Sequence, residues 1–185
     1  MRNPSLNILI MLLRQLLGAA IAMLTTVFLA RNLSLGDNGM YASLTLLPVM
    51  AASIASLGVG PSIAFQCSTK RYALSEIIAC AMILSIACAA VMTAILAIAL
   101  LFGFFPHDLE KVKKLAFIAI FSITPFLLFT NLSAALQGMQ RFKEFGLLTI
   151  APPATLLAAL ILLYAIDTKS ITLENITYSF AGAYI

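Results

Sequence analysis

Residues Leu6–Ala30 read LNILIMLLRQLLGAAIAMLTTVFLA. A helix rises about 1.5 Å per residue and a bilayer core is about 30 Å thick, so about 20 apolar residues suffice to cross it. This run is long enough, and it carries one full charge, Arg14, with Gln15 beside it. Hydrocarbon penalises an arginine by at least about 2.5 kcal/mol. A spanning helix that keeps one either lets it snorkel to the interface or uses it.

Working outward, the same pattern recurs at about 40–65, 75–102, 115–136 and 147–166, which makes five complete spans. A sixth, partial span covers about 175–185. The fold class is therefore all-α: a polytopic transmembrane helix bundle, with residues 1–185 as one N-terminal transmembrane lobe. A helix cut in mid-membrane leaves carbonyls that lipid cannot satisfy. The partial sixth span thus carries the expectation that the polypeptide is the front part of something larger, or a truncated product.

Bulk composition agrees. Apolar residues make up 62% of the chain, charged residues 10%, and mean hydropathy is +1.06. A soluble surface usually needs roughly 25% charged residues. The net charge of +4 is spread over short loops, which suits contact with lipid headgroups and gives no nucleic-acid footprint. Cys67, Cys80 and Cys88 have no His or acid spaced for a metal, and they read as small packing residues. The first run exceeds the length of about 7–15 residues of a signal-peptide core and no small-residue cleavage motif ends it, so it reads as a retained helix.

The loop Arg31–Gly39 is rich in turn residues. Gly36 and Gly39 are expected to take positive φ, and Asp37 and Asn38 to cap the next helix, so that the first two helices form a tight hairpin. Tyr41 falls at the interface. The second span holds Pro48, Ser53, Ser56, Gly58, Gly60 and Pro61. Pro48 removes a backbone hydrogen bond and predicts a kink. Ala52, Ser56 and Gly60 recur every four residues, giving a face smooth enough for close helix contact. Gly58-Val-Gly60-Pro61 reads either as packing with a kink or as a hinge beside a cavity. Pro48, Gly58, Gly60 and Pro61 are accordingly the hinge candidates.

Lys70 and Arg71 either fix topology or touch lipid phosphate. His107, the only histidine, lies in a polar loop with Asp108, Glu110 and Lys114, and reads as solvated. The fourth span contains Pro125 and then Thr130, Asn131, Ser133 and Gln137. An amide in a membrane either joins helices or faces a water-filled cavity. Asn131-Leu-Ser133 fits a glycosylation triplet, but its place inside a span argues against use. The fifth span contains Pro152 and Pro153.

With an inside N-terminus, each side of the membrane carries five basic residues, Arg14 aside, so the basic count does not decide the orientation. Including acids leaves the inner side at +3 and the outer side at 0, which favours the N-terminus inside. The chain contains no Gly-rich phosphate loop followed by Lys-Ser/Thr, no paired carboxylate in a span and no Gly-x-Ser-x-Gly. No enzyme activity, cofactor or metal is expected.

Three segments in order resemble the polysaccharide flippases. Ala30-Arg-Asn-Leu-Ser-Leu-Gly36-Asp-Asn-Gly39-Met-Tyr41 is similar to their first loop, with two residues inserted between Leu33 and Gly36 and a changed order at Gly39-Met-Tyr41. Ser56-Leu-Gly58-Val-Gly60-Pro-Ser-Ile-Ala64 resembles their Gly-hydrophobic-Gly stretch, and Leu136-Gln-Gly138-Met-Gln-Arg141-Phe142 their loop after the fourth helix. The resemblance implies the multidrug/oligosaccharidyl-lipid/polysaccharide exporter superfamily, whose members have about 12 to 14 helices in two lobes. It further implies a multi-pass protein of the bacterial inner membrane with a cytoplasmic N-terminus. The function implied is translocation of lipid-linked oligosaccharide, a polyprenyl pyrophosphate, by alternating access.

The partners implied are that lipid, membrane lipids and a C-terminal lobe. Arg14, Arg31, Asn131 and Gln137 are the candidate substrate-binding residues. Arginine matches phosphate oxygens in bidentate fashion, and Arg14 lies about 12 Å past Leu6 along a helix. Two alternatives stand beside this reading. One is a multidrug exporter of the same superfamily, for which a coupling carboxylate in a span is wanted. The other is an inactive membrane fragment or assembly subunit.

Overall fold

The computed structural model describes residues 4–56, 58–69, 73–103, 113–166 and 172–184. The features expected at Arg2, Lys70, Arg71, His107, Asp108, Glu110, Lys111, Asp167 and Lys169 lie outside them. Among the described residues the chain is all-helical, with five helical runs long and apolar enough to cross a membrane. The helices are α1 (Pro4–Asn32), α2 (Leu35–Ser56), α3 (Val59–Thr69), α4 (Leu74–Leu101), α5 (Lys113–Phe121), α6 (Ile123–Gly138), α7 (Phe142–Ile166) and α8 (Leu173–Gly182).

The first turn differs from expectation. The helices run closer together, leaving only Leu33 and Ser34 between α1 and α2. Gly36 and Gly39 are helical, and neither has a positive φ. The cap is Ser34 rather than Asp37 or Asn38. Its Oγ accepts from the Asp37 backbone N–H at 3.1 Å and donates to Asp37 Oδ2 at 2.7 Å. The serine oxygen satisfies one of the first free N–H groups and the Asp37 carboxylate orients its hydroxyl, so the helix starts earlier than the glycines suggest.

The second span is two helices. Gly58 adopts φ +80° and separates α2 from α3. A Cβ there would meet nothing within 4 Å, so the backbone conformation alone favours glycine. Pro61 falls in the first turn of α3, where a missing N–H costs nothing. Helix α2 continues through Pro48, which is buried. The fourth span is also interrupted, at Ser122 between α5 and α6. Pro125 has no N–H to offer the carbonyl of Phe121, while Ser122 N–H still donates to Ile118 O and Phe126 N–H to Ser122 O.

Side-chain pairs fix the directions. Arg14 meets Thr149 and Phe28 meets Tyr164, so α1 and α7 run parallel. Gly60 lies against Ala134 and Ala64 against Gly138, so α3 and α6 run parallel. Ile77 packs with Ala135, and Ser85 with Asn131, so α4 and α6 run antiparallel. The first and fifth spans thus share a direction, the second and fourth share one, and the third opposes the fourth, each as alternate crossings of a bilayer require.

The largest core joins α2, α4, α5 and α6. Ala51, Ala52, Ala55, Ala89, Ala116 and Ala119 let the backbones approach, and Leu44, Leu100, Ile120 and Leu127 fill the spaces. Leu12, Leu16, Met23 and Leu24 on α1, and Ile83, Val91, Ile95 and Ile98 on α4, are exposed. Outside a membrane that apolar surface would have no suitable solvent.

The α6–α7 turn closes by a Schellman arrangement. Gln140 N–H donates to Gln137 O and Arg141 N–H to Leu136 O, each at 3.0 Å, with Gln140 at φ +57° in the position glycine usually takes.

Candidate functional site

Arg14 lies ten residues into α1, about 15 Å along the helix from Pro4. Its side chain crosses to α7. The guanidinium donates from NH1 to Thr149 Oγ1 at 3.1 Å, and its Cζ sits 4.8 Å from the centre of the Phe145 ring. Phe145 and Thr149 are four residues apart, hence on one helix face. Thr149 also donates to the carbonyls of Phe145 at 2.8 Å and Gly146 at 3.2 Å. Its hydroxyl proton is committed to its own helix, and its oxygen remains as the acceptor for Arg14. Arg14 Nε is buried and has no hydrogen-bond partner. The residue has no ion pair with a carboxylate among the described residues. A cation is therefore held part-way through an apolar span by neutral groups alone.

The other candidates have different surroundings. Arg31 is exposed in the last turn of α1, where a cation complements the helix dipole. Asn131 is only 5% exposed, and its Nδ2 donates to Ser85 Oγ at 2.6 Å, joining α6 to α4. Gln137 lies near the end of α6, exposed, on a cleft of about 500 Å³ lined also by Gly60, Pro61, Ala64, Ala134 and Gly138. Two hinge candidates and one binding candidate thus share a cleft. Asn131 Oδ1 lies 3.7 Å from where a Gly60 Cβ would stand, at the edge of the same seam. The hydrogen bond and ring contact of Arg14 go to Thr149 and Phe145, not to any of these residues.

Sequence reasoning missed a close backbone contact between α3 and α6. A Cβ at Gly138 would fall 2.7 Å from Ala64 Cα and closer still to its carbonyl oxygen. The signal was present: Gly60 and Ala64 on α3, and Ala134 and Gly138 on α6, are small residues four apart on facing helices. Phe145 and Thr149 were missed for another reason, because only the pairing of two helices distant in sequence brings them to Arg14.

Among the described residues the acidic side chains keep to helix starts. Asp37, Glu76, Glu144 and Glu174 each lie in a first turn, where a carboxylate complements the helix dipole. Among the described residues no three His, Cys, Asp or Glu side chains gather as metal ligands. A guanidinium within an apolar span has the donor geometry to recognise an anion. No family model, curated protein or solved structure matches this chain.

Proposed function

We propose that this bundle is one lobe of a transporter that passes lipid-linked oligosaccharide precursors across the bacterial inner membrane by alternating access. The observation that carries the reading is Arg14, a cation within a spanning helix that no carboxylate neutralises among the described residues. A polyprenyl pyrophosphate brings two phosphoryl groups that hydrocarbon rejects. A guanidinium at that depth offsets their desolvation, and its planar fork matches their oxygens. The order of the three flippase-like segments supports the same reading. Bundles of this kind work as two lobes, so a second lobe would face this one across the substrate path.

The test is reconstitution of the protein in liposomes with a fluorescent polyprenyl-pyrophosphoryl sugar, followed by its movement between leaflets. Arg14→Ala is expected to lower the rate at least tenfold. Arg14→Lys, which keeps the charge but loses the fork, should fall between. Rates equal to wild type in both variants would remove Arg14 and this reading with it.

A further inference from the structure

We propose that Phe145 and Thr149 are positioning residues, which present the Arg14 guanidinium to a diphosphate group without discharging it. This rests on the anion-binding reading above and names the groups that make it work. Three observations carry it. The Phe145 ring face lies 4.8 Å from Arg14 Cζ, so its negative π-face supports the cation without bringing a formal charge. Thr149 Oγ1 accepts one guanidinium N–H at 3.1 Å, while its own proton is held by carbonyls of α7. Arg14 Nε is buried and bonded to nothing.

A carboxylate in place of Thr149 would take two donors and cancel the charge. A cradle of neutral groups takes one and cancels none. The guanidinium is therefore oriented, and most of its N–H groups are still available to an incoming anion. The stem of Arg14 lies along α7 beside Gly146, where a Cβ would stand 3.9 Å from Arg14 Cδ, in ordinary contact.

The ligand chemistry is a diphosphate, carried by a lipid or free in solution. Binding is measured with the full chain in phosphatidylcholine nanodiscs, using undecaprenyl pyrophosphate, undecaprenol and inorganic pyrophosphate as probes. Thr149→Val and Phe145→Leu are each expected to weaken undecaprenyl pyrophosphate binding about tenfold while leaving undecaprenol binding unchanged. Thr149→Ser and Phe145→Tyr, which keep the acceptor and the ring, should bind as wild type does.

If millimolar inorganic pyrophosphate displaces the lipid in wild type but not in Arg14→Ala, the cradle serves the diphosphate whatever its carrier. If it does not displace it, the lipid-linked form is the ligand. Wild-type binding by Thr149→Val and Phe145→Leu, alongside loss in Arg14→Ala, would overturn the cradle and leave the transporter reading standing. Wild-type binding by Arg14→Ala would overturn both. Equal loss of undecaprenol and its pyrophosphate in the cradle variants would show general damage and also overturn the positioning role. Should Thr149→Val fail to fold, Phe145→Leu and the two conservative variants still decide.

Discussion

Asn131 and Ser85 are joined by a hydrogen bond of 2.6 Å between α6 and α4, beside a core of alanine, leucine and isoleucine side chains. The two ends of that bond are not equivalent. Ser85 also donates to Ala81 O at 2.5 Å, so it keeps a partner when Asn131 is removed. Asn131 Nδ2 has Ser85 as its hydrogen-bond partner and is left buried without one when Ser85 is removed. Asn131→Ala is expected to cost about 0.6 kcal/mol and at most about 1.7 kcal/mol, the average and the maximum for interhelical hydrogen bonds in a membrane protein. Ser85→Ala should cost more, about 1–3 kcal/mol, because it strands an amide. Equilibrium unfolding in mixed micelles measures both; a cheaper Ser85→Ala would contradict this asymmetry.

The two informative glycines separate two kinds of cost. At Gly58 space is free and φ is +80°, so Gly58→Ala should cost about 1–2 kcal/mol of left-handed strain and leave helix packing alone. At Gly138 the obstacle is the Ala64 backbone, and Gly138→Ala must push α3 away from α6. Overpacking of that sort costs about 1–3 kcal/mol. A disulfide trap between cysteines placed across the α3–α6 seam should form readily in Gly58→Ala and poorly in Gly138→Ala.

Cys67 lies beyond the apolar part of the second span and is buried, and burial pushes its thiol pKa up. The thiolate is the nucleophile, so N-ethylmaleimide should label Cys67 at least tenfold more slowly in the folded protein than in sodium dodecyl sulfate. The sign of the linkage follows. Below the ordinary thiol range both states hold the proton. As pH rises through that range the unfolded chain ionises first, so the folded state loses stability. A Cys80→Ala, Cys88→Ala background isolates the signal, and equal labelling rates in both states would refute the burial argument.

Ser34 starts α2 with two hydrogen bonds to Asp37. Ser34→Ala is expected to cost about 0.5–2 kcal/mol, and Ser34→Gly only a few tenths. Thermal unfolding that ranks the glycine variant below the alanine variant would argue that the cap is not the reason α2 begins where it does.

The spans were legible because hydropathy over about 20 residues leaves few alternatives once charges are so sparse. The third expected span, 75–102, falls on α4 to within a residue at each end. Local rules did less well where two of them competed. Gly36 and Gly39 read as turn residues, yet the Ser34 cap drew them into α2. Pro125 was visible, but the break fell at Ser122, one turn upstream, where the proline's missing donor is felt. Gly58, Gly60 and Pro61 were singled out together, and the structure divides them: Gly58 makes the break, Gly60 packs against Ala134, and Pro61 fits a helix start. The Arg14 cradle was not legible at all. Nothing near Arg14 in the chain says that α7, rather than α2, is its neighbour.

That neighbour also sets an order of events during synthesis. Arg14 and Thr149 are 135 residues apart, and a ribosome adds about 5–20 residues per second, so α1 waits roughly 7–27 s before α7 exists. Through that interval the Phe145 ring and the Thr149 hydroxyl do not yet exist to receive its charged side chain. The α1–α7 seam is thus among the last to form, and a nascent chain halted after the fourth span should hold its first helix loosely.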